Sequence, residues 1–134
     1  MLNIRNYKAS EYEMIDSWWK KAEEVGPTRD MLPEESTFIL ELNGTPWVCM
    51  TVYLTNSKEI VWFENLASNP EVSAPGRKEA VNFLIKFCED FARNKGYKKA
   101  LAMSATESVT NRYQEIGYFP TCRNITTAIK ILRS

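Results

Sequence analysis

The chain has 134 residues, 44% of them hydrophobic, which fits one domain with a core large enough to fold without disulfides or metals. Its 17 acidic and 17 basic residues cancel, so no overall electrostatic field would draw it to nucleic acid or anionic lipid. The chain contains no histidine, so any proton transfer would have to use Glu, Asp, Tyr, Cys, Lys or water.

The three cysteines lie far apart and lack Cys-x-x-Cys spacing. Cys49, Cys88 and Cys122 are therefore predicted to be reduced core residues, with neither a disulfide framework nor a zinc site. The amino-terminal stretch "MLNIRNYKAS" lacks the apolar run of a signal peptide, and no apolar segment approaches the length that spans a bilayer. These features predict a soluble, cytoplasmic protein.

The first elements are a strand and an amphipathic helix. "LNIRNYK" alternates roughly, and "EYEMIDSWWKKAEEVG" has apolar residues at helical spacing before Gly26 and Pro27 end the helix. Trp18 and Trp19 are adjacent and point about 100° apart on a helix, so at most one is expected at the centre of the buried stripe. "PTRDMLPEES" predicts an irregular connection with a helical turn near Met31.

The period then changes from helical to alternating. "TFILEL", "WVCMTVYL" and "EIVWFENLA" are separated by the turns "NGTP" and "TNSK". The pair Asn43 and Gly44 is a strong hairpin signal. Three antiparallel strands in a meander are predicted.

A second helix, a strand, a third helix and a final strand complete the chain. "RKEAVNFLIKFCEDFARNKG" predicts the longest helix, closed by Gly96, and "YKKALAMSA" predicts a buried strand. "SATE" is a capping box in which Ser104 and Glu107 would begin a helix that ends at Gly117. "NITTAIKIL" alternates as a last strand over residues 124–132. The order β-α-βββ-α-β-α-β predicts an α+β (mixed α/β) fold with one sheet.

The carboxy-terminal third resembles the GNAT superfamily of acyl-CoA-dependent N-acyltransferases. "EDFARNKGYKKALAMSA" and "NRYQEIGYF" are similar to the pattern of that family, with Tyr113, Glu115, Gly117 and Tyr118 in register. "FENLASNP" is similar to the strand and turn that precede the family's cofactor loop. The resemblance implies one GNAT-like domain over residues 1–134, with a mixed, mostly antiparallel sheet flanked by helices.

The resemblance also implies a chemistry. Acetyl-CoA, or another acyl-CoA, would bind as cosubstrate in a cleft between two central strands, and a primary amine would attack the thioester directly. The acceptor would be a small-molecule or peptide amine, with neither nucleic acid nor membrane as a partner. Homodimers are common in the family, so the resemblance is compatible with a homodimer for this chain. The cofactor phosphates need backbone N–H groups, the amine must lose a proton, and the departing thiolate must gain one.

The predicted phosphate site lies in the stretch "SNPEVSAPGRKEAVNFL". The family pattern has a basic residue, two residues, glycine, one residue, then glycine or alanine. When this chain is aligned with that pattern, Arg77 lies at the basic position. Ala80 and Asn82 then lie at the first and second glycine positions. Free N–H groups near Gly76, Arg77 and Lys78 are expected to attract an anion. The alternative is an ordinary exposed helix start with two basic residues.

The resemblance places the proton acceptor at Glu64, near the acceptor amine. Glu64 alternates with Trp62 and Leu66, and such apolar neighbours on one face would raise its pKa. The alternative is a carboxylate at a solvated edge or in a structural ion pair. On the same strand, Leu66 and Ser68 are implied as cofactor contacts.

Tyr113 matches the family tyrosine whose hydroxyl protonates the leaving CoA thiolate. It could instead pack with its hydroxyl in water. The family also tends to have an asparagine upstream of that tyrosine, and here Thr106 falls near its place while Asn111 is too close in sequence.

Two other functions stay open. A GNAT-fold protein without turnover could act as a binding or inhibitory partner through residues 26–36 and exposed aromatic residues such as Trp19. A nucleic-acid binder would depend on four scattered basic residues: Arg77, Lys78, Lys98 and Lys99. The sequence carries no motif that identifies the acceptor.

Overall fold

Five strands form one mixed sheet in a computed structural model that describes residues 1–104, 106–122, 125 and 127–132. The spatial order is β1-β2-β3-β4-β5, with antiparallel pairing from β1 to β4 and parallel pairing of β4 with β5. The strands are β1 (Leu2–Asn6), β2 (Thr37–Leu42), β3 (Thr45–Leu54), β4 (Ile60–Ser68) and β5 (Lys99–Ala102). The predicted single, mostly antiparallel sheet is confirmed.

Three α-helices are described: α1 (Tyr12–Lys21), α2 (Ala74–Asn94) and α3 (Glu107–Glu115). A one-turn 3₁₀ helix at Arg29–Met31 is the helical turn predicted near Met31. The chain divides into two compact units, residues 1–104 with the sheet, α1 and α2, and residues 105–134 with α3. A single domain over residues 1–134 stays a prediction.

Left-handed residues close the predicted hairpin and the long helix. Asn43 and Gly44 have φ values of 53° and 83°, as a tight two-residue hairpin turn requires. Gly96, with φ of 93°, follows the end of α2 and confirms the predicted carboxy-terminal cap.

Strand alternation gives the sheet two differently covered faces. On the first, called the α1 face, Ile15 and Trp18 of α1 pack in one buried cluster with Ile39 of β2 and Cys49 of β3. On the second, called the α2 face, the ring of Phe38 in β2 packs edge-on against two rings of α2. Those rings belong to Phe87 and Phe91, with centroids 5.0 and 4.9 Å away.

The expectation that only one of the two adjacent tryptophans is centrally buried is wrong. Trp18 and Trp19 are 5% and 4% exposed. The chain beyond α1 covers the second ring: a methyl group on Gly26 would lie 2.6 Å from Cδ2 of Trp19. The backbone after the helix therefore buries a residue that helical periodicity alone leaves at the margin.

Two further expectations differ from the structure. Cys122 is exposed, whereas Cys49 and Cys88 are buried as predicted. The cap of α3 is Thr106, whose hydroxyl accepts the N–H of Val109 at 3.3 Å, because the backbone turns helical two residues later than a Ser104 cap requires.

The last predicted strand, residues 124–132, lies partly outside the described residues, at Asn124 and Thr126. Its described residues, 125 and 127–132, form no strand. Their large apolar side chains are exposed, so the alternating pattern does not correspond to a buried face in these residues.

In the ranges that the structure describes, no helix combines the length and apolar character needed to cross a bilayer.

We expect Gly26→Ala to destabilise the protein by about 1–3 kcal/mol, because the added methyl group must displace the ring of Trp19. Urea unfolding measures the change. Val25→Ala is the matched control, since the neighbouring Val25 is fully exposed and should change stability by less than about 0.5 kcal/mol. Equal stability of the two variants would contradict the packing of Gly26 on Trp19.

Candidate active site

The pairing between strands β4 and β5 stops halfway along β4. Their parallel pairing ends at Phe63 and Ala102, followed by one hydrogen bond from Met103 N–H to the Phe63 carbonyl at 3.2 Å. β4 continues to Ser68, so residues 64–68 have no partner strand on that side within the described chain. We call residues 64–68 the open edge of β4. Its unpaired backbone groups are available to a ligand.

A β-bulge lies in the open edge. Thr51 pairs with Glu64 and Cys49 with Ala67, so the single residue between them on β3 faces both Asn65 and Leu66. Asn65 has φ of 61°, a left-handed conformation that asparagine tolerates better than most residues. Bulges of this kind re-aim side chains.

The bulge changes which side chains share a face with Glu64. Glu64 pairs with Thr51 on the α1 face, whereas Ser68 pairs with Val48 on the α2 face. Leu66, two residues before Ser68, then also belongs to the α2 face. The expectation that Leu66 and Glu64 share a face is therefore wrong, because the extra residue breaks the alternation.

Glu64 lies half-buried among neutral groups. Its cross-strand neighbour Thr51 is fully buried, and the Thr51 hydroxyl shares a 3.0 Å hydrogen bond with that of Thr37. Trp62 precedes Glu64 on the same face. Burial raises the pKa of the Glu64 carboxyl, the direction expected from the sequence. No ion pair of Glu64 occurs among the described residues, which argues against the structural ion-pair alternative.

Tyr53 ties the bulge to the connection that follows α1. The Nδ2 group of Asn65 donates to the Tyr53 hydroxyl at 2.9 Å, and that hydroxyl donates to the Met31 carbonyl at 2.8 Å. Burial raises the pKa of Tyr53, and the charge of Glu64 adds to the rise, so the hydroxyl stays protonated. Neither Tyr53 nor Asn65 was predicted from the sequence. The available signal was an asparagine inside an apolar strand, where asparagine is depleted.

The start of α2 offers fewer free amides than predicted. The first helical bond runs from the Arg77 N–H to the Ser73 carbonyl at 2.9 Å, so the Arg77 amide is not free, and Lys78 lies deeper in the helix. Pro75 has no N–H. The amides without an intrahelical acceptor are those of the cap residue Ser73, of Ala74 and of Gly76. Of the three predicted donors, only Gly76 keeps this property.

Gly76 is required by an aromatic contact that the sequence did not reveal. A methyl group on it would lie 2.5 Å from Cζ3 of Trp47 in β3, so the indole packs directly on the helix start. Asn69 fixes the intervening loop, because its N–H donates to the Trp47 carbonyl at 2.8 Å and its Nδ2 to the Pro46 carbonyl at 2.9 Å. The start of α2 is thereby held against the start of β3.

Ala80 and Asn82 occupy different sides of α2. Ala80 is 6% exposed, on the buried stripe. Asn82 lies about 200° further round the helix, away from the side whose Phe87 and Phe91 meet Phe38 in β2. The Asn82 Oδ1 atom is buried and has no hydrogen-bond partner among the described residues.

Tyr113 belongs to the second compact unit, on α3. It is 4% exposed, and its ring centroid lies 4.9 Å from that of Tyr118. Thr106 is occupied as the helix cap, and Asn111 is exposed. The structure thus brings the other predicted site residues into the unit formed by residues 1–104, while the role of Tyr113 stays a prediction.

No protein-family model matches the sequence, and no curated protein sequence matches it. Solved structures do match the fold. N-acetylglutamate synthase from Neisseria gonorrhoeae, in complex with coenzyme A and L-arginine, aligns with a TM-score of 0.76 and 20% identity. That alignment covers 90% of this chain but only 28% of the synthase, so the chain spans little more than a quarter of its length.

Two other matches have nearly the same length as this chain. A predicted acetyltransferase with acetyl-CoA from Clostridium acetobutylicum gives a TM-score of 0.66 at 13% identity, covering 96% of each chain. An aminoglycoside acetyltransferase from an uncultured soil metagenomic sample, in complex with trehalose, gives 0.66 at 12%, covering 99% and 97%. The chain therefore has the fold of these acetyltransferases, and the GNAT fold expected from the sequence is confirmed.

We expect Glu64→Gln to raise the melting temperature at pH 7 by roughly 2 °C. Burial disfavours the ionised carboxyl, so its folded pKa lies above the unfolded one. The stability of the wild-type protein is then fully present below the unfolded pKa of about 4.3 and is lost as the pH rises through the folded pKa. Glutamine does not titrate, so the advantage of the variant should shrink toward pH 4. Melting curves across this range measure it.

Glu59→Gln is the matched control, because exposed Glu59 pairs with Lys98 and Lys99 and should not be stabilised by neutralisation. A Glu64→Gln variant less stable than wild type at pH 7 would show that the carboxylate has a stabilising partner.

Proposed function

We propose that the protein is an N-acyltransferase that moves an acetyl group from acetyl-CoA to a primary amine by direct attack. The observation that carries the proposal is the open edge of β4, with its bulge and the half-buried Glu64, at the point where β4 leaves β5. The fold shared with acetyltransferases, two of them in complex with coenzyme A or acetyl-CoA, supports it.

The residues of the first unit suit the parts of acetyl-CoA. The pantetheine arm is an extended chain with amide groups, and the open edge offers it backbone donors and acceptors, with Leu66 and Ser68 as proposed contacts. Asn82 contributes a buried oxygen that has no donor among the described residues. For the phosphates we propose the amides of Ala74 and Gly76 at the positive end of α2.

Basic side chains at the same helix start, Arg77 and Lys78, supplement these amides. Ala80 is buried, so its proposed part is to keep the helix close to the sheet.

Glu64 is the proposed proton acceptor. It would take a proton from the acceptor ammonium, directly or through water, and its raised pKa brings it closer to that task at neutral pH. The amine nitrogen forms a bond to the thioester carbonyl carbon, the carbon–sulfur bond breaks, and Tyr113 is proposed to give its hydroxyl proton to the thiolate. The second proton that the nitrogen loses on becoming an amide would pass through solvent and restore the Tyr113 hydroxyl. The role of Tyr113 rests on the family resemblance.

The alternative is a GNAT-fold protein without turnover that binds a partner. One observation argues against it and another favours it. Trp19 is buried and cannot present an exposed aromatic surface. The helix start, however, begins with a proline that has no N–H at its second position and is packed by Trp47, which favours weak phosphate binding. The nucleic-acid alternative is weakened because Lys98 and Lys99 pair with Glu59. A cytoplasmic location and a homodimer stay predictions.

Acetyl-CoA at about 100 times its dissociation constant should stabilise the protein by roughly 2.7 kcal/mol, seen as a rise in melting temperature. Arg77→Ala should reduce this rise, because it removes a cation at the phosphate site. Arg93→Ala, at the far end of the same helix and paired with Asp90, is the matched control and should leave it unchanged. No rise at millimolar acetyl-CoA would overturn the enzyme proposal.

Tyr113→Phe separates catalysis from binding in the same preparation. It should lower the rate of thiol release from acetyl-CoA by at least about tenfold while the ligand-induced rise in melting temperature stays the same. An unchanged rate would remove Tyr113 from the mechanism.

A further inference from the structure

The arginine on the α1 face forms its ion pairs with carboxylates other than Glu64. Arg5 lies on that face opposite Ile39, and it is held by Glu11 at 2.7 Å and Glu41 at 3.0 Å. Its guanidinium is fully committed to these two carboxylates, which are themselves partly buried. The positive charge of Arg5 is therefore already neutralised by these two carboxylates and does not favour a negatively charged ligand near Glu64.

Arg29, in the connection between α1 and β2, also has a carboxylate partner. Arg29, next to the Met31 carbonyl that Tyr53 binds, pairs with Glu13 and lies 4.9 Å from the centre of the Tyr12 ring. At the beginning of β4, Lys98 and Lys99 pair with Glu59. Each of these cations has a carboxylate partner other than Glu64.

The polar groups recorded around Glu64 are neutral. Thr51 lies opposite it, Trp62 shares its face, and the hydroxyl of Tyr53 is bound between Asn65 and Met31. A ligand that reaches Glu64 therefore meets one negative charge beside hydroxyl, amide and indole groups, and among the described residues Glu64 forms no ion pair that would offset it.

We propose that the acceptor is a cationic amine whose neighbouring groups are neutral or cationic, so that amines carrying a carboxylate beside the amino group, such as free α-amino acids, are rejected. This inference rests on the proposed function and names the substrate class of the same site. The ammonium group compensates the charge of Glu64. A carboxylate on the adjacent carbon would be held close to Glu64 without a partner, and like charges at such distances repel strongly in a partly buried site.

The test uses pairs of amines with the same side chain, one with a carboxamide and one with a carboxylate beside the amino group: L-leucinamide against L-leucine, and L-phenylalaninamide against L-phenylalanine. Thiol release from acetyl-CoA gives kcat/KM for each compound. We expect each amide to exceed its acid by at least about tenfold. Where turnover is too slow to measure, calorimetric titration of each compound into the complex with coenzyme A ranks the pair instead.

Two glutamine variants assign the preference to its source. Glu64→Gln should lower the ratio of amide to acid, even as it lowers both rates, because it removes the repelling charge and leaves only the difference in basicity between the two amines. Glu59→Gln should leave the ratio unchanged, since Glu59 faces Lys98 and Lys99 instead.

The outcomes separate the two proposals. Equal or better use of the free acids, or a ratio that survives Glu64→Gln, overturns the inference while the acetyltransferase proposal stands. Binding of acetyl-CoA with neither turnover nor binding of any of the four amines also overturns the inference, because the Glu64 face would then not be an amine site. Absence of acetyl-CoA binding overturns the proposed function itself.

Discussion

A shift of one residue in the pairing of β3 with β4 decides how the site is arranged. Because two residues of β4, Asn65 and Leu66, face one residue of β3, the strand changes its alternation in the middle. Glu64 stays on the α1 face, while Leu66 and Ser68 pass to the α2 face. The same stretch of β4 lies beyond the last pair with β5, so its backbone is open where its side chains diverge. A straight, fully paired strand would have neither property.

The environment of Glu64 opposes stability and favours chemistry. The carboxylate is half-buried and has no ion pair within the described ranges, which disfavours its charged form in the folded protein. The nearby tether from Asn65 through Tyr53 to Met31 is uncharged and offsets little of that cost. Uncompensated charge at a partly buried position is a common feature of functional sites, since a ligand of opposite charge restores the balance on binding.

Local patterns predicted the elements well because they depend on neighbours in sequence. The alternation of "TFILEL" and "EIVWFENLA", the Asn43 turn and the Gly96 cap specified the meander and the long helix correctly. Glu64 was placed on the right strand, with the right direction of pKa change. The family resemblance, more than periodicity, selected the fold among several that would suit the same order of elements.

The errors arose where distant residues decide the outcome. Trp19 is buried by the backbone at Gly26, and Gly76 is kept small by Trp47, a residue almost thirty positions earlier. The bulge at Asn65 depends on pairing with another strand, so a one-strand alternation rule put Leu66 on the wrong face. The free amides of the helix start were misplaced because the helix begins at Ala74, before the first basic residue.

Amide hydrogen exchange in the presence and absence of acetyl-CoA tests most directly whether the open edge of β4 is the cofactor site. With the ligand at saturation, we predict that exchange slows by at least about tenfold for the edge-facing amides of residues 64–68 and for those of Ala74 and Gly76, since each would gain an acceptor. Strand β1, at the opposite edge of the sheet, should exchange at an unchanged rate. Saturating binding that leaves residues 64–68 unprotected would contradict the account.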